Sequence, residues 1–245
     1  MSDMSAGLLT VDGGNSTLDC LYHGDGARLR LGAATPDAAR LEAFLRDHAP
    51  QRCVAATVLP EGLRLLAALL LRAAVPLQVA GRELPCPMPL AYDTPATLGA
   101  DRWVGALAAH RRHGRAVVVD CGSATTVNLV EQDGTFCGGA IAPGLRAFAV
   151  GLAAVTPGLP APDLDAMVAV PSRSSRVAVD TGVLLGYCGL VERLVTDTLR
   201  AAAGPARVIV TGGNADRLLR HTRLRPCCEP DLVHQGLRLL AGGSP

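Results

Sequence analysis

An acid, a glycine and a hydroxyl recur at the same spacing at two places in the chain, each time after an apolar run. In chain order, the matching residues are Asp12, Gly14 and Thr17, and then Asp120, Gly122 and Thr125. A glycine-containing loop between two strands exposes successive backbone N–H groups, and hydroxyls add donors, so such a loop can bind an anion without a lysine. One copy of so short a pattern is more often an ordinary tight turn. The repetition favours phosphate binding, and it predicts two loops that clamp a polyphosphate.

The two acids do not suit direct contact with phosphate, because like charges repel. A carboxylate in such a loop suits a cation that lies between it and the phosphate oxygens. We therefore expect Asp12 or Asp120 to hold Mg²⁺ or a monovalent ion, directly or through water.

The composition excludes one familiar phosphate site. All 23 basic residues of the 245-residue chain are arginine, which excludes a P-loop ending in lysine. The net charge is +1 without a basic block, which argues against a nucleic-acid partner. The chain shows neither a basic leader segment nor an uncharged apolar run of spanning length, so we expect a cytoplasmic protein and no membrane partner.

The cysteines and histidines predict no transition-metal site. Eight cysteines are scattered without a C-x-x-C pair, so zinc is not expected and the thiols are interpreted as reduced core residues. Adjacent Cys227 and Cys228 are conceivable as a redox pair, although two ordinary cysteines explain them better. His110 and His113 have no acid or cysteine close by in the sequence, so we expect a solvated helix end.

An adjacent acid and arginine, Asp101 and Arg102, lie near the predicted start of a helix. An exposed acid that complements the helix dipole, followed by a solvated arginine, is the ordinary explanation. As a functional pair, Asp101 would accept a proton from an alcohol. Arg102 would neutralise a carboxylate or a developing phosphoryl charge, with two parallel hydrogen bonds.

Two glycine-rich segments in the second half suit close approach of a neighbouring group. The segment "VTGGNADRL" at 210–218 runs from a strand through Gly-Gly into a helix, which suits a nucleotide but also an ordinary turn. The segment "GGAIAPGL" at 138–145 has glycines at two points, Gly138-Gly139 and Gly144. Their missing side chains indicate either close packing of a neighbouring group or a structural bend.

The element pattern places these motifs on an α/β framework. We predict strands within 7–31 and 116–144 and at 53–60, 75–81 and 206–210, and helices near 37–48, 61–74, 99–112, 144–154, 175–202 and 213–220. Each half opens with strand, loop and strand and continues with helical crossovers, which indicates two similar domains with mixed sheets. We predict an N-terminal domain at 1–113 and a C-terminal domain at 114–245.

The ordered motifs resemble those of type III pantothenate kinases, in the acetate and sugar kinase/heat-shock-70/actin superfamily. They are "VDGGNSTLD" (11–19), "AYDTPATLGADRW" (91–103), "VVVDCGSATT" (117–126), "GGAIAPGL" (138–145), "TGGNA" (211–215) and "EPDLVHQGL" (229–237). The resemblance implies two ribonuclease H-like, actin-type domains with mixed sheets and an interdomain nucleotide cleft. It also implies ATP-dependent phosphorylation of pantothenate, the first step of coenzyme A biosynthesis, by a homodimer.

The resemblance also implies roles for particular residues. The ATP and phosphate contacts would be Asp12, Gly13, Gly14, Asn15, Ser16, Thr17, Leu18, Asp19 and Ser123. The pantothenate contacts would be Tyr92, Gly99, Ala100, Asp101, Arg102 and Ser175. Asp101 would be the catalytic base, with no raised pKa required, and Asp120 would be the ligand of a monovalent cation, K⁺ or NH₄⁺, while Mg²⁺ accompanies ATP. Asn128 stands where the family often has an acid, which affects the handling of the cation.

Two alternatives remain open. A family member that has lost turnover could act as a regulatory or accessory protein. A superfamily kinase or phosphatase acting on a sugar or an exopolyphosphate would share the two loops but not the spacing from Tyr92 to "GADR".

Overall fold

The computed structural model describes residues 7–57 and 60–243, and within them the chain forms two compact units. Unit 1 comprises the chain up to Arg112 together with the segment from Asp231 onward, and unit 2 runs from His113 to Pro230. The first boundary lies close to the predicted division at 113/114. The segment from Asp231 onward, predicted in the C-terminal domain, instead groups with unit 1, because its helix Leu232–Leu240 contacts the strands Leu8–Gly13 and Arg52–Thr57.

The predicted elements occur in the predicted order, and the structure adds a short strand at Cys227–Cys228 and a helix at Leu232–Leu240 that were not predicted. The strands are β1 (Leu8–Gly13), β2 (Thr17–Tyr22), β3 (Arg28–Gly32), β4 (Arg52–Thr57), β5 (Leu77–Val79), β6 (Ala116–Cys121), β7 (Ala124–Val130), β8 (Phe136–Pro143), β9 (Arg207–Thr211) and β10 (Cys227–Cys228). The helices are α1 (Ala38–His48), α2 (Pro60–Arg72), α3 (Ala100–His113), α4 (Leu145–Val155), α5 (Ser175–Ala201), α6 (Ala215–His221) and α7 (Leu232–Leu240), and a short 3₁₀ helix spans Pro95–Thr97. Among the described helices, none is both long and apolar enough to cross a membrane.

The sheet of unit 1 has the strand order β3-β2-β1-β4-β5. Strands β1, β2 and β3 pair antiparallel, whereas β4 and β5 join in parallel after helical crossovers. Because side chains alternate along a strand, Leu9 and Val11 of β1 pack into the core with α1 and α2, while Thr10 faces α7. The Thr10 hydroxyl lies 2.8 Å from Nδ1 of the buried His234.

The sheet of unit 2 repeats this arrangement with the order β10-β9-β6-β7-β8. An antiparallel hairpin again comes first, and parallel strands follow after helices. The inward residues of β6 pack with the long helix α5 in a core that includes Cys121. Burial raises the pKa of the Cys121 thiol to about 12, so this cysteine is a neutral core residue. The predicted pair of mixed sheets is therefore confirmed.

The two hairpins differ by one residue in their turns. Asp12 lies opposite Asp19, whereas Asp120 lies opposite Thr126. The gapless sequence alignment of the loops therefore holds for the first strand of each hairpin and fails across the turn, so that Thr17 and Thr125 do not occupy equivalent positions.

Candidate functional site

Asp101 of unit 1 lies in the first turn of α3, where its carboxylate folds back on the helix start. Its Oδ1 accepts a hydrogen bond from the Arg102 backbone N–H at 2.9 Å. A Cβ added to Gly99 would lie 2.6 Å from that same oxygen, so glycine leaves the space that the carboxylate occupies, directly before Ala100 opens the helix. The acid is also well placed for the helix dipole.

The environment of Asp101 raises its pKa above the ordinary value. Burial is the dominant cause, and the hydrogen bond and charge of Arg102 offset only part of it. The expectation of an unshifted carboxylate is therefore corrected. A carboxylate with a raised pKa binds a proton more readily, which suits a group that accepts one.

Arg102 is buried, with 8% of its surface exposed. Its Nη1 donates to the Tyr92 hydroxyl at 3.2 Å, and its Cζ lies 5.6 Å from the centre of the Tyr92 ring. The interpretation of Arg102 as a solvated helix-end residue is wrong. The segment between Tyr92 and Arg102 contains the 3₁₀ helix and brings Tyr92 back to the start of α3. The predicted spacing therefore places the Tyr92 phenol and the Arg102 guanidinium together beside the Asp101 carboxylate.

The first glycine loop connects β1 and β2 of unit 1. The Gly14 backbone N–H donates to the Thr17 carbonyl at 3.0 Å and closes the turn. A Cβ added to Gly13 would lie 2.6 Å from Oγ1 of Thr57, so this position requires a very small residue. Asn15, Ser16 and Thr17 are exposed and Asp12 is half-buried. The turn thus offers amide and hydroxyl donors at its surface.

Leu18 and Asp19 have structural partners that the sequence did not indicate. The Leu18 side chain lies in the core of unit 1, so only its main chain is available to a ligand. Arg28 donates to both oxygens of Asp19, at 2.8 and 2.6 Å, and Arg30 donates at 2.9 Å. Burial alone would raise the pKa of Asp19, but His234 and Arg28 outweigh it and hold the pKa well below its ordinary range. Asp19 therefore anchors arginines on the first sheet.

The second glycine loop, in unit 2, is enclosed on one side by the "TGGNA" segment. The Asn214 backbone N–H donates to the Cys121 carbonyl at 3.0 Å, and its side chain donates to the Gly122 carbonyl at 3.4 Å. Gly212 has a φ of +91°, and a Cβ added there would overlap Oδ1 of Asp120. Glycine is therefore needed both for the backbone conformation and for the space beside the carboxylate.

The "GGAIAPGL" segment contacts the same loop. The Gly144 backbone N–H donates to the Ser123 carbonyl at 3.2 Å. A Cβ added to Gly144 would overlap the carbonyl oxygens of Gly122 and Ser123. Close packing is therefore the explanation for this glycine, and three sequence motifs of unit 2 meet at the turn beside Asp120, where Ser123 remains exposed.

The two remaining residues of interest also lie in unit 2. Ser175 is exposed in the first turn of α5, and the N-cap is its neighbour Ser174, whose hydroxyl accepts from the Val177 N–H at 3.3 Å. Asn128 is buried, and its side-chain amide donates to the Thr126 hydroxyl at 3.0 Å. Because Thr126 pairs with Asp120 across the hairpin, Asn128 lies one contact from the predicted cation ligand.

Comparisons with known proteins agree with these motifs. The family model of type III pantothenate kinases matches residues 8–197. A type III pantothenate kinase of Rhizorhabdus wittichii is 34% identical, over 95% of this chain and 96% of its own length. The corresponding protein of Rhodospirillum rubrum is 31% identical, over 95% of this chain and 97% of its own.

Solved structures share the fold. A Baf-family transcriptional activator from Campylobacter jejuni has a TM-score of 0.62 at 21% identity, and the match covers 96% of this chain and 97% of that chain. An inorganic polyphosphate/ATP-glucomannokinase from Arthrobacter sp. strain KM has a TM-score of 0.50 at 16% identity, covering 96% and 98% of the two chains. The predicted actin-type fold with two α/β units is confirmed. Given the family match over most of its length, the chain belongs to the type III pantothenate kinase family.

Proposed function

We propose that this protein transfers the γ-phosphoryl group of ATP to the primary hydroxyl of pantothenate and so catalyses the first step of coenzyme A biosynthesis. The observation that carries the proposal is the group formed by Asp101, Arg102 and Tyr92 in unit 1. Asp101 and Arg102 lie in the first turn of α3. A hydrogen bond of 3.2 Å joins Arg102 to the Tyr92 hydroxyl. Together these side chains supply a proton acceptor beside a buried cation, which suits an acceptor substrate that carries both a hydroxyl and a carboxylate.

The reaction assigns a separate task to each of these side chains. Asp101 orients the hydroxyl and accepts its proton as the phosphoryl group is transferred. Arg102 binds the pantothenate carboxylate, and Tyr92 holds the guanidinium in place, with the Gly99 and Ala100 backbone beside it. Phosphoryl transfer passes through a loose transition state, so positioning and charge neutralisation account for most of the catalysis.

We propose that each glycine loop binds phosphate oxygens of ATP through the donors of its own unit. The exposed donors of Asn15, Ser16 and Thr17, with the amides of Gly13 and Gly14, form the first set. Ser123 supplies a hydroxyl in the second loop. Neither loop contains a lysine, so arginine, backbone N–H groups and bound cations must balance the phosphate charge.

The residues around Asp120 fit a bound cation. The half-buried carboxylate is followed by a turn whose carbonyl oxygens, at Cys121, Gly122 and Ser123, accept hydrogen bonds from neighbouring segments. Carboxylate and carbonyl oxygens are the donors that hard cations take. We propose that Asp120 holds K⁺ or NH₄⁺ and that Asp12 faces the Mg²⁺ that accompanies ATP. Such ions neutralise phosphate charge when bound.

A homodimer is supported by an apolar surface in unit 2. Large apolar side chains are exposed on β8, on α4 and in the segment after α4, including Ile141 at 65%, Val150 at 57% and Val155 at 77%. Exposed apolar side chains mark a protein interface where they lie together. We propose that this face joins two copies in the cytoplasm. Sedimentation of Val150→Asp beside the unaltered protein tests the proposal, and an unchanged dimer would contradict it.

The activity is tested by coupling ADP release to NADH oxidation with ATP, Mg²⁺ and pantothenate, in sodium, potassium and ammonium salts. We expect turnover with pantothenate, a phosphorylated product by mass spectrometry, and faster rates in potassium or ammonium. Glucose, N-acetylglucosamine and polyphosphate serve as competing acceptors or donors. Turnover with a sugar alone would contradict the assignment, and no turnover with any acceptor would favour an accessory protein.

A further inference from the structure

Three potential metal ligands lie together in unit 2. One ligand atom each from His113, Cys227 and Glu229 lies within 4.8 Å of the other two. Nε2 of His113 is 3.2 Å from Oε1 of Glu229, and Sγ of Cys227 is 3.8 Å from the same oxygen. Sequence analysis did not predict this group, because His113 lacks an acid or cysteine close to it in the chain.

The fold brings the three side chains together from opposite ends of the unit 2 segment. His113 ends α3 and is the first residue of unit 2. Cys227 lies in β10, which pairs with β9, and the Glu229 N–H donates to the Val210 carbonyl at 2.9 Å, continuing the same pairing. Residues two apart on an extended chain face the same side. Cys227 and Glu229 therefore face His113 together, whereas Cys228 is exposed.

The distances within this cluster suit a transition-metal ion. Zinc binds histidine nitrogen, cysteine sulfur and carboxylate oxygen at about 2.0–2.3 Å, so tetrahedral ligands lie about 3–4 Å apart. The separations from Oε1 of Glu229 to the other two ligand atoms, 3.2 and 3.8 Å, fall in that range, and those two atoms lie within 4.8 Å of each other. The side chains of His113 and Glu229 are 17% and 9% exposed, which limits the access of water. The mixed N, S and O donor set is of the kind zinc takes, and it differs from the all-oxygen sets that magnesium and calcium prefer.

We propose that His113, Cys227 and Glu229 bind one zinc ion, with water in the fourth position. Binding would form bonds to the imidazole nitrogen, the thiolate sulfur and a carboxylate oxygen, and would release the thiol proton to solvent. The ion would join the first residue of the unit 2 segment to the strand at its end. Its role would be to stabilise unit 2, independently of the phosphoryl-transfer chemistry.

Zinc binding is measured on the full-length protein after dialysis against a chelator, by titration with zinc in competition with a chromogenic chelator. We expect one zinc per chain in the unaltered protein and in the control Cys228→Ser, and loss of that site in Cys227→Ser and His113→Gln. Cobalt in place of zinc should give a thiolate-to-metal absorption band that Cys227→Ser abolishes and Cys228→Ser retains. Circular dichroism confirms that each variant is folded.

Thermal unfolding gives an independent measurement. At zinc about one-hundredfold above its Kd, the melting temperature of the unaltered protein should rise by about 5 °C, with no rise for Cys227→Ser. Equal zinc affinity in the unaltered protein and Cys227→Ser would overturn the proposal and leave a hydrogen-bonded cluster without metal. Equal loss in Cys227→Ser and Cys228→Ser would also overturn it, in favour of a vicinal cysteine pair.

Discussion

Replacing Asp101 by Asn tests the proposed chemistry most directly, because the structure allows the substitution without loss of a backbone contact. Oδ1 of Asp101 accepts the Arg102 N–H at 2.9 Å, and the amide oxygen of Asn can accept the same bond. Only the negative charge and the basicity are removed. General-base catalysis contributes about 10²–10⁴-fold, so kcat should fall by that factor, equivalent to about 3–5 kcal/mol in the barrier. The Kd for ATP, measured by calorimetry, should not change.

The same substitution should leave the fold intact or stabilise it at neutral pH. Burial raises the pKa of Asp101 in the folded protein, so the folded state binds this proton more tightly than the unfolded chain does. Ionised Asp101 therefore costs stability in full above the folded pKa, and the cost decreases as pH falls below that value and is gone below the unfolded pKa. The melting temperature of Asp101→Asn should equal or exceed that of the unaltered protein at neutral pH, and the difference should vanish in acid.

The pH dependence of kcat/KM checks the assignment in the unaltered protein. Because the base must be ionised, the acid limb should lie above the ordinary pKa of an aspartate. Asp47→Asn, an exposed residue of α1, is the matched control and should keep full activity. Near-normal turnover of Asp101→Asn would refute the reasoning, whatever its stability.

Three further substitutions test the other parts of the site. Asp120→Asn should weaken activation by potassium and ammonium. An activation equal to that of the unaltered protein would show that Asp120 does not bind the cation. Arg102→Lys should raise the KM for pantothenate, because lysine cannot form two parallel hydrogen bonds to a carboxylate. Arg111→Lys, at an exposed position, is the control. An unchanged KM in Arg102→Lys would contradict substrate binding by Arg102. Gly144→Ala should cost about 1–3 kcal/mol of stability and raise the KM for ATP, because its Cβ would overlap two carbonyl oxygens. The control is Gly151→Ala in α4, where an added Cβ meets no atom within 4 Å. This variant should change neither the stability nor the KM. Equal melting temperatures for the two glycine variants would show that the turn accommodates a side chain.

The sequence predicted the features that depend on local pattern. The acid–glycine spacing located both hairpins, and the restart of the pattern at Asp120 predicted the second sheet. The glycines at 144 and 212 marked real close approaches, because the missing side chain is itself the signal. Element order follows from hydrophobic period and turn residues, which are properties of neighbouring positions.

Features that depend on contacts between residues far apart in the sequence were not predicted. The burial of Arg102 against Tyr92 was not predicted, because it requires a loop to return to the helix start. Asp19 was assigned to the phosphate loop, although its arginine partners lie on the next strand. The cluster at His113 joins residues from both ends of a long segment, and no local pattern carries that information.

The return of α7 to unit 1 determines when each unit can be completed during synthesis. Unit 2 is one continuous segment, so all of its strands are available once Pro230 has left the ribosome. The first strand, β1, packs against α7, and Leu232 and Leu237 of that helix are fully buried. At the usual rate of translation, roughly ten seconds pass between the synthesis of Arg112, which ends the first segment of unit 1, and that of α7, which packs on β1. The half of the protein that is made first is therefore finished last, and until then one face of its sheet is an exposed target for chaperones.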